Sequence, residues 1–364
     1  MIRPFTIEVA QKRLDWIAGR VADARIGYAP DDDADWKYGT SASYLADFRE
    51  YWRDQYDWSA AQAALNALPQ FMVEIEGVDI HFYHLRAGGS GGYPVILTHG
   101  WPGSVFEFLE AMPLLADRGF DVIVPSLPGY GFSGRPKRPI GAGDVARMWR
   151  TLMVDHLGYN RFGAQGGDWG SSVTIALAEQ HADVVDAFHL NFLFMRAKGE
   201  MSAEVAEWQA TARKRFAGNG AYSQQMQSRP QTIGLALSDS PIGFASWVLE
   251  KCRAWSDCGG DIEASFTKDQ LITNIMTYLV NDNVQASMWL YNSLNSARPG
   301  AGRIEVPMGF AAFPGETPPP PRSLAERRFN IVRWSKMPRG GHFAAWEEPE
   351  LFVDEVAGFF DQRR

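Results

Sequence analysis

Cysteine is nearly absent from this chain: Cys252 and Cys258 are the only two in 364 residues. That excludes a disulfide framework, and no Cys/His cluster has the spacing of a zinc site. Both read as ordinary reduced thiols. An excess of positive charge is missing too. Thirty-five Lys and Arg against 43 Asp and Glu leave a formal charge of −8 with no basic cluster, so a nucleic-acid footprint is excluded. No apolar run approaches a membrane span, and the start, MIRPFTIEVAQKR, lacks the apolar centre of a signal peptide. The expected location is cytoplasmic. What is plentiful is core material: 46% of residues are apolar and 13% aromatic, which describes a compact globular protein, with length alone suggesting about two domains.

Hydrophobic periodicity divides the chain. Residues 7 to 23 carry Leu14, Ile17 and Val21 at helical spacing, and residues 43 to 56 repeat the pattern with Tyr44, Phe48 and Trp52. A third helix is expected from Ser59 to Leu68, opened by a capping box of Ser59 and Gln62. This arm, residues 1–70, is expected to precede any sheet. From Phe71 the period becomes two, with a turn at Glu76-Gly77 before Val78 to His84. Strands at Pro94–Thr98, Asp121–Pro125 and Asp186–Leu190 then alternate with helices, which predicts an α/β fold with a doubly wound, mostly parallel sheet. From 192 to 300 strand character vanishes and aromatic-rich helical segments take over; it resumes at Arg303–Phe310 and Asn330–Trp334 before a last helix, Leu351–Phe360. The expected organisation is a core of residues 71–191 and 301–364 with a helical lid, 192–300, inserted between its halves. Pro318 to Pro321 reads as a short stiff spacer.

The most informative segment is Gly166-Gly167-Asp168-Trp169-Gly170-Ser171, followed by a helical run. Small residues two positions either side of Asp168 give the spacing of a nucleophile elbow, a strained strand-to-helix turn. An α/β-hydrolase carries a serine there. An aspartate changes the chemistry: a carboxylate is ionised at neutral pH and is a weak acyl nucleophile, yet it displaces leaving groups from saturated carbon. The expected substrate is therefore an epoxide or an alkyl halide. Chain order nucleophile–acid–histidine points to His342 in Gly340-Gly341-His342-Phe343. Because Asp168 needs no deprotonation, neutral His342 is free to activate water in a second step. For the acid, position favours Glu316 after the strand ending Ala311-Ala312-Phe313-Pro314, with Glu347 and Glu348 as alternatives that read as a solvated helix end. HGWPGS at 99–104 ends a strand, and the backbone N–H groups of Trp101 and Trp169 are the expected oxyanion hole.

These motifs resemble, across nearly the whole chain, the microsomal-type branch of the α/β-hydrolase epoxide hydrolases, which includes the juvenile hormone-type enzymes. The matching segments, in order, are the early Arg3-Pro4-Phe5 with the arm from Trp36 to Leu68, HGWPGS, PSLPGYGFSG (125–134), GGDWGS, Asp239–Gly243, Leu249–Lys251, Gly309–Pro314 and GGHFAAWEEPE (340–350). The resemblance implies that two lid tyrosines, here Tyr222 and Tyr291, bind the epoxide oxygen and protonate it as the ring opens. It also implies that Glu316 is the acid. Microsomal members carry a membrane anchor, whereas this chain begins at the arm, so none is expected here. The implied function is hydrolysis of a small apolar epoxide to a 1,2-diol through an aspartyl ester, with no metal or organic cofactor. A haloalkane dehalogenase would share Asp168, His342 and the tryptophan after the nucleophile; a ligand-binding protein without turnover is a more distant alternative. The sequence allows a homodimer.

Overall fold

The computed structural model describes residues 1–88, 91–197, 199, 201–295, 300 and 302–363. Nine strands form one sheet in the order β1-β2-β3-β5-β4-β6-β7-β8-β9. They are β1 (Arg3–Pro4), β2 (Gln70–Ile75), β3 (Val78–Leu85), β4 (Tyr93–Thr98), β5 (Phe120–Pro125), β6 (Phe162–Gly166), β7 (Val185–Leu190), β8 (Ile304–Ala312) and β9 (Phe329–Lys336). From β5 to β9 every neighbouring pair is parallel, while β1, β2, β3 and β5 pair antiparallel. This is the mostly parallel α/β sheet that the alternation predicted. The Glu76-Gly77 turn joins β2 to β3 with both residues at positive φ, 52° and 76°, the backbone of a two-residue hairpin.

Alternate side chains of the central strands feed opposite cores, as a period of two requires. In β4, Ile96 joins a cluster with Val173 and Leu177 of α6 (Asp168–Gln180), whereas Val95 and Leu97 join one with Met112 and Leu115 of α4 (Ala111–Asp117). Helix α5 (Ala142–Arg150) lies beside α6, and its buried Trp149 donates through Nε1 to Thr98 Oγ1 at 3.1 Å. The short α13 (Arg322–Ala325) and α14 (Ala344–Glu347) sit in the C-terminal connections. The last helix, α15 (Pro349–Phe360), covers the same face as α4 and starts on a proline that needs no N–H partner in a first turn.

The N-terminal arm differs from its sequence reading in two places. Arg3 and Pro4 already belong to the sheet, opposite Met72 and Phe71, so the arm does not precede the first strand. Two residues are too few to show a period, which hides such an edge strand. The third helix is α3 (Trp58–Leu65), and its N-cap is Asp57, whose side chain accepts from the Ser59 amide. Gln62 is committed elsewhere: its Oε1 accepts from the Val9 amide and the Trp58 indole, both at 3.2 Å. Helices α1 (Gln11–Ala22) and α2 (Ala42–Asp54) bury Ile17, Val21, Leu45, Phe48 and Trp52. Between β7 and β8 lie α7 (Ala203–Asn219), α8 (Ala221–Ser228), α9 (Pro230–Asp239), α10 (Pro241–Trp255), α11 (Lys268–Leu279) and α12 (Val284–Asn292). The arm grips this insertion: Arg13 donates to the Leu279 carbonyl at 2.6 and 3.0 Å, Thr40 to Ser246 at 2.6 Å, and Tyr51 to Asp269 at 3.1 Å. The boundary expected at 300 and 301 falls where 296–299 and 301 lie outside the described residues.

Candidate active site

The carboxyl ends of β4, β6, β8 and β9 all open onto one edge of the sheet, where an open α/β fold places its ligand. Trp101 follows β4, Asp168 follows β6, Glu316 follows β8 and His342 follows β9, so residues far apart in sequence converge by topology. Asp168 takes φ +48°, left-handed backbone that a non-glycine residue occupies only under constraint, and this lifts its side chain out of the strand-to-helix turn. Gly170 permits the packing: a Cβ there would lie 1.8 Å from the Thr98 carbonyl oxygen. The carboxyl stands at the N-terminus of α6, where unpaired N–H groups favour negative charge.

The two oxygens of Asp168 face different partners. Oδ1 accepts from the Trp101 amide at 2.9 Å, and Oδ2 lies 3.5 Å from His342 Nε2. On its other side His342 Nδ1 is 2.5 Å from Glu316 Oε2, and both residues are over nine-tenths buried. Glu316 Oε1 is held by the Thr317 amide. The His342 amide donates to Trp255 O at 2.9 Å and its ring lies 4.9 Å from that indole, so the end of α10 fixes the imidazole as well. Burial works against a charged His342, but the carboxylates of Glu316 and Asp168 outweigh it and raise its pKa well above the ordinary value. Trp169 follows Asp168 in the first turn of α6, where its N–H has no partner within the helix.

Glu347 and Glu348 serve elsewhere. Glu347 Oε1 and Oε2 accept from the amides of Phe343 and Asp257 at 2.9 and 2.7 Å, bracing the histidine loop, and Glu347 is half-buried rather than a solvated helix end. Burial lifts its carboxyl to about 7, although these two amides oppose it. Glu348 pairs with Arg339 at 2.7 Å.

Above Asp168 stand four aromatic rings. Tyr222 stacks on Trp101 with centroids 5.3 Å apart, Tyr291 meets Trp169 edge-on at 5.0 Å, and the two tyrosine rings are 5.8 Å apart. Trp255 lies 5.3 Å from Tyr222. Burial, then the charge of Asp168, raises the Tyr222 phenol; burial, then Tyr222 and Asp168, raises Tyr291, so both stay neutral donors at ordinary pH. The buried Lys251 places Nζ 4.7 Å from the Tyr222 ring centroid, a cation over the π face.

The loop after β4 is pinned from both sides. The Leu127 amide donates to His99 Nε2 at 3.1 Å, which puts the proton on Nδ1, and Nδ1 donates to the Gly100 carbonyl at 3.0 Å. Burial lowers the His99 pKa to about 4, so the ring stays neutral. From α11, Asn274 donates to the Pro102 carbonyl at 2.9 Å and Tyr278 donates to Gly103 O.

Two neighbours escaped the sequence reading. Lys251 sat in a matched segment, Leu249–Lys251, but nothing in its spacing marks it as buried over a tyrosine. Glu107 lies four residues beyond Gly103 and its carboxyl enters the same site; a lone glutamate after a turn carries no signal of its own.

The chain is similar to known proteins along its whole length. The family described as the epoxide hydrolase N terminus matches residues 2–108, and the alpha/beta hydrolase fold family matches 93–226. Epoxide hydrolase 1 of Sus scrofa is 33% identical over 98% of this chain and 88% of its own length. The solved epoxide hydrolase of Aspergillus niger superposes with a TM-score of 0.91 at 32% identity, covering 100% of this chain and 96% of that one. The juvenile hormone epoxide hydrolase of Bombyx mori superposes with a TM-score of 0.87, also at 32% identity, over 100% and 94%. Among the described residues no helix is long and apolar enough to cross a membrane. With matches that run from end to end and a hydrolase elbow bearing an aspartate, the chain belongs to the epoxide hydrolase family.

Proposed function

We propose that this epoxide hydrolase works in two covalent steps on a small apolar epoxide. Asp168 Oδ2 attacks an epoxide carbon, while Tyr222 and Tyr291 hydrogen-bond the epoxide oxygen and one of them protonates it as the ring opens. The product is a β-hydroxyalkyl ester of Asp168. Esterification removes a negative charge 3.5 Å from His342 Nε2, so the imidazole loses one of the two carboxylates that hold its proton. Neutral His342, oriented by Glu316, then takes a proton from water, which attacks Cγ of Asp168. The charge that builds on Oδ1 meets the amides of Trp101 and Trp169, a stabilisation of about 3 kcal/mol per donor in comparable sites. Collapse breaks the Cγ–Oδ2 bond, the protonated His342 returns its proton to Oδ2, and a 1,2-diol leaves. The proton still carried by the water oxygen on the new Asp168 carboxyl passes back to the phenolate left by ring opening.

The observation that carries this reading is the divided carboxylate: one oxygen on a backbone amide, the other facing a histidine backed by Glu316. The wall of Trp101, Trp255, Tyr222 and Tyr291 suits an apolar, aryl or cyclic substrate. In this reading residues 1–70 are an arm, 71–191 and 301–364 the core, and 192–300 a lid. The dehalogenase alternative is not favoured: the relatives are epoxide hydrolases, and halide release calls for N–H donors rather than a phenol pair.

A single turnover with excess enzyme, styrene oxide and ¹⁸O-labelled water tests the scheme. Label is expected in the Asp168 carboxylate and absent from the first diol formed. Labelled diol with an unlabelled Asp168 would mean direct attack by water and would overturn it.

A further inference from the structure

Beside Asp168 lies a small cavity of about 10 Å³, room for the centre of roughly one water molecule. Gly103, Glu107, Asp168, Asn191, His342 and Phe352 are among its walls. The Glu107 carboxyl reaches into the space beside Gly103: a Cβ on that glycine would lie 1.4 Å from Glu107 Oε1. Gly103 cannot easily give way, because its carbonyl accepts from the buried Tyr278 hydroxyl. The triad uses none of Glu107, yet a carboxyl is expensive to keep in such surroundings unless something polar meets it.

We propose that the Glu107 carboxyl holds the water that hydrolyses the Asp168 ester, with His342 as the base on the same water. This rests on the two-step reading above. The water donates one hydrogen to His342 Nε2 and the other to a Glu107 carboxyl oxygen, which leaves a lone pair aimed at Cγ of Asp168. The Cγ–O bond forms as the first proton passes to Nε2; Glu107 keeps the water oriented and neither gains nor loses a proton. Its charge state suits the task. Burial pushes its pKa up to about 8, although His342 and the Ser104 amide act the other way, so at neutral pH it is mostly the uncharged acid. A neutral acid accepts the hydrogen bond without adding a negative charge that would hold His342 protonated.

Rapid-quench single turnovers with styrene oxide separate ester formation from ester hydrolysis. In Glu107→Leu, hydrolysis is expected to fall about tenfold or more, as for loss of one hydrogen bond in the transition state, with ester formation unchanged and Asp168 ester accumulating. Glu107→Gln keeps an uncharged acceptor of the same shape and is expected to hydrolyse within about threefold of wild type. Gly103→Ala, which displaces the carboxyl while leaving it in the chain, should resemble Glu107→Leu. Equal loss in both half-reactions, or no loss in Glu107→Leu, would overturn the proposal while leaving the two-step scheme standing. Wild type that forms no ester would bring down both.

Discussion

Two sets of groups meet at the Asp168 carboxyl: the rings of Trp101, Trp255, Tyr222 and Tyr291, and Glu107, His342 and the braced loop that ends at Glu347. The first set is supplied largely by the helical insertion and offers only two polar handles, both phenols that burial keeps neutral. The second is supplied by sheet-edge loops and is dense in ionisable groups held to backbone amides. Each suits one half of the reaction. Ring opening needs an apolar place for carbon and a proton for one oxygen; ester hydrolysis needs a water, a base and a hole for charge. One carboxylate serves both because its two oxygens are held apart, Oδ1 on the Trp101 amide and Oδ2 toward His342. The difference shows why a strained elbow is retained: at φ +48° Asp168 stands between two environments rather than within one.

Substitutions can break this division at chosen points. Asp168→Ala removes the shared group, and diol formation is expected to fall by about 10⁴-fold or more, since triad members act as a unit; measurable turnover near wild type would sink the covalent scheme. His342→Gln disables only the water side. Steady-state turnover should drop by about 10²- to 10⁴-fold, and intact-protein mass after epoxide addition should show a persistent adduct. Tyr222→Phe with Tyr291→Phe disables only the ring side, with ester formation slowed about 10²-fold or more and hydrolysis of preformed ester hardly changed; stopped-flow traces with unaltered alkylation would contradict that assignment.

The smallest effect is expected from Glu316→Gln, and it is read from pH. Burial disfavours the His342 cation, and Glu316 with Asp168 more than reverses this, so the folded pKa is raised. Hydrolysis needs the neutral ring, and in the ester form, where Glu316 is the carboxylate that still raises it, the rate rises with pH through the His342 pKa of that form. Removing the Glu316 charge lowers it, so the ascending limb of the hydrolysis profile should move to lower pH while its plateau drops. Linkage has the matching sign. A raised folded pKa stabilises fully below the unfolded value of about 6.5 and is lost as pH rises through the folded one. The melting-temperature gap between wild type and Glu316→Gln should therefore be widest in mild acid and narrow in alkali.

Much of the site was legible because its chemistry sits in local motifs. An elbow is a statement about four or five consecutive residues, and the strand ends before HGWPGS and after Gly309 follow from period-two runs. The arm was less legible at both ends. The pairing of Arg3 with Met72 is set by a partner far along the chain, and Asp57 outcompetes Ser59 as a cap because Gln62, the other half of the expected box, is drawn to Val9 and Trp58. Glu347 shows the same limit: near the histidine in sequence, it was a fair alternative for the acid, and only the fold commits both its oxygens to backbone amides.

By itself the sequence determined the α/β architecture, the aspartate at the elbow, the order of nucleophile, acid and histidine, and so the class of electrophile, because each depends on residue type and near-neighbour spacing. Tertiary structure alone decided that Glu347 gives both its oxygens to backbone amides, that Lys251 lies over Tyr222, and that the space beside Gly103 receives Glu107. Those are contacts between segments tens to hundreds of residues apart, or a matter of which way one side chain can turn in a packed interior. No local pattern encodes them; close packing does.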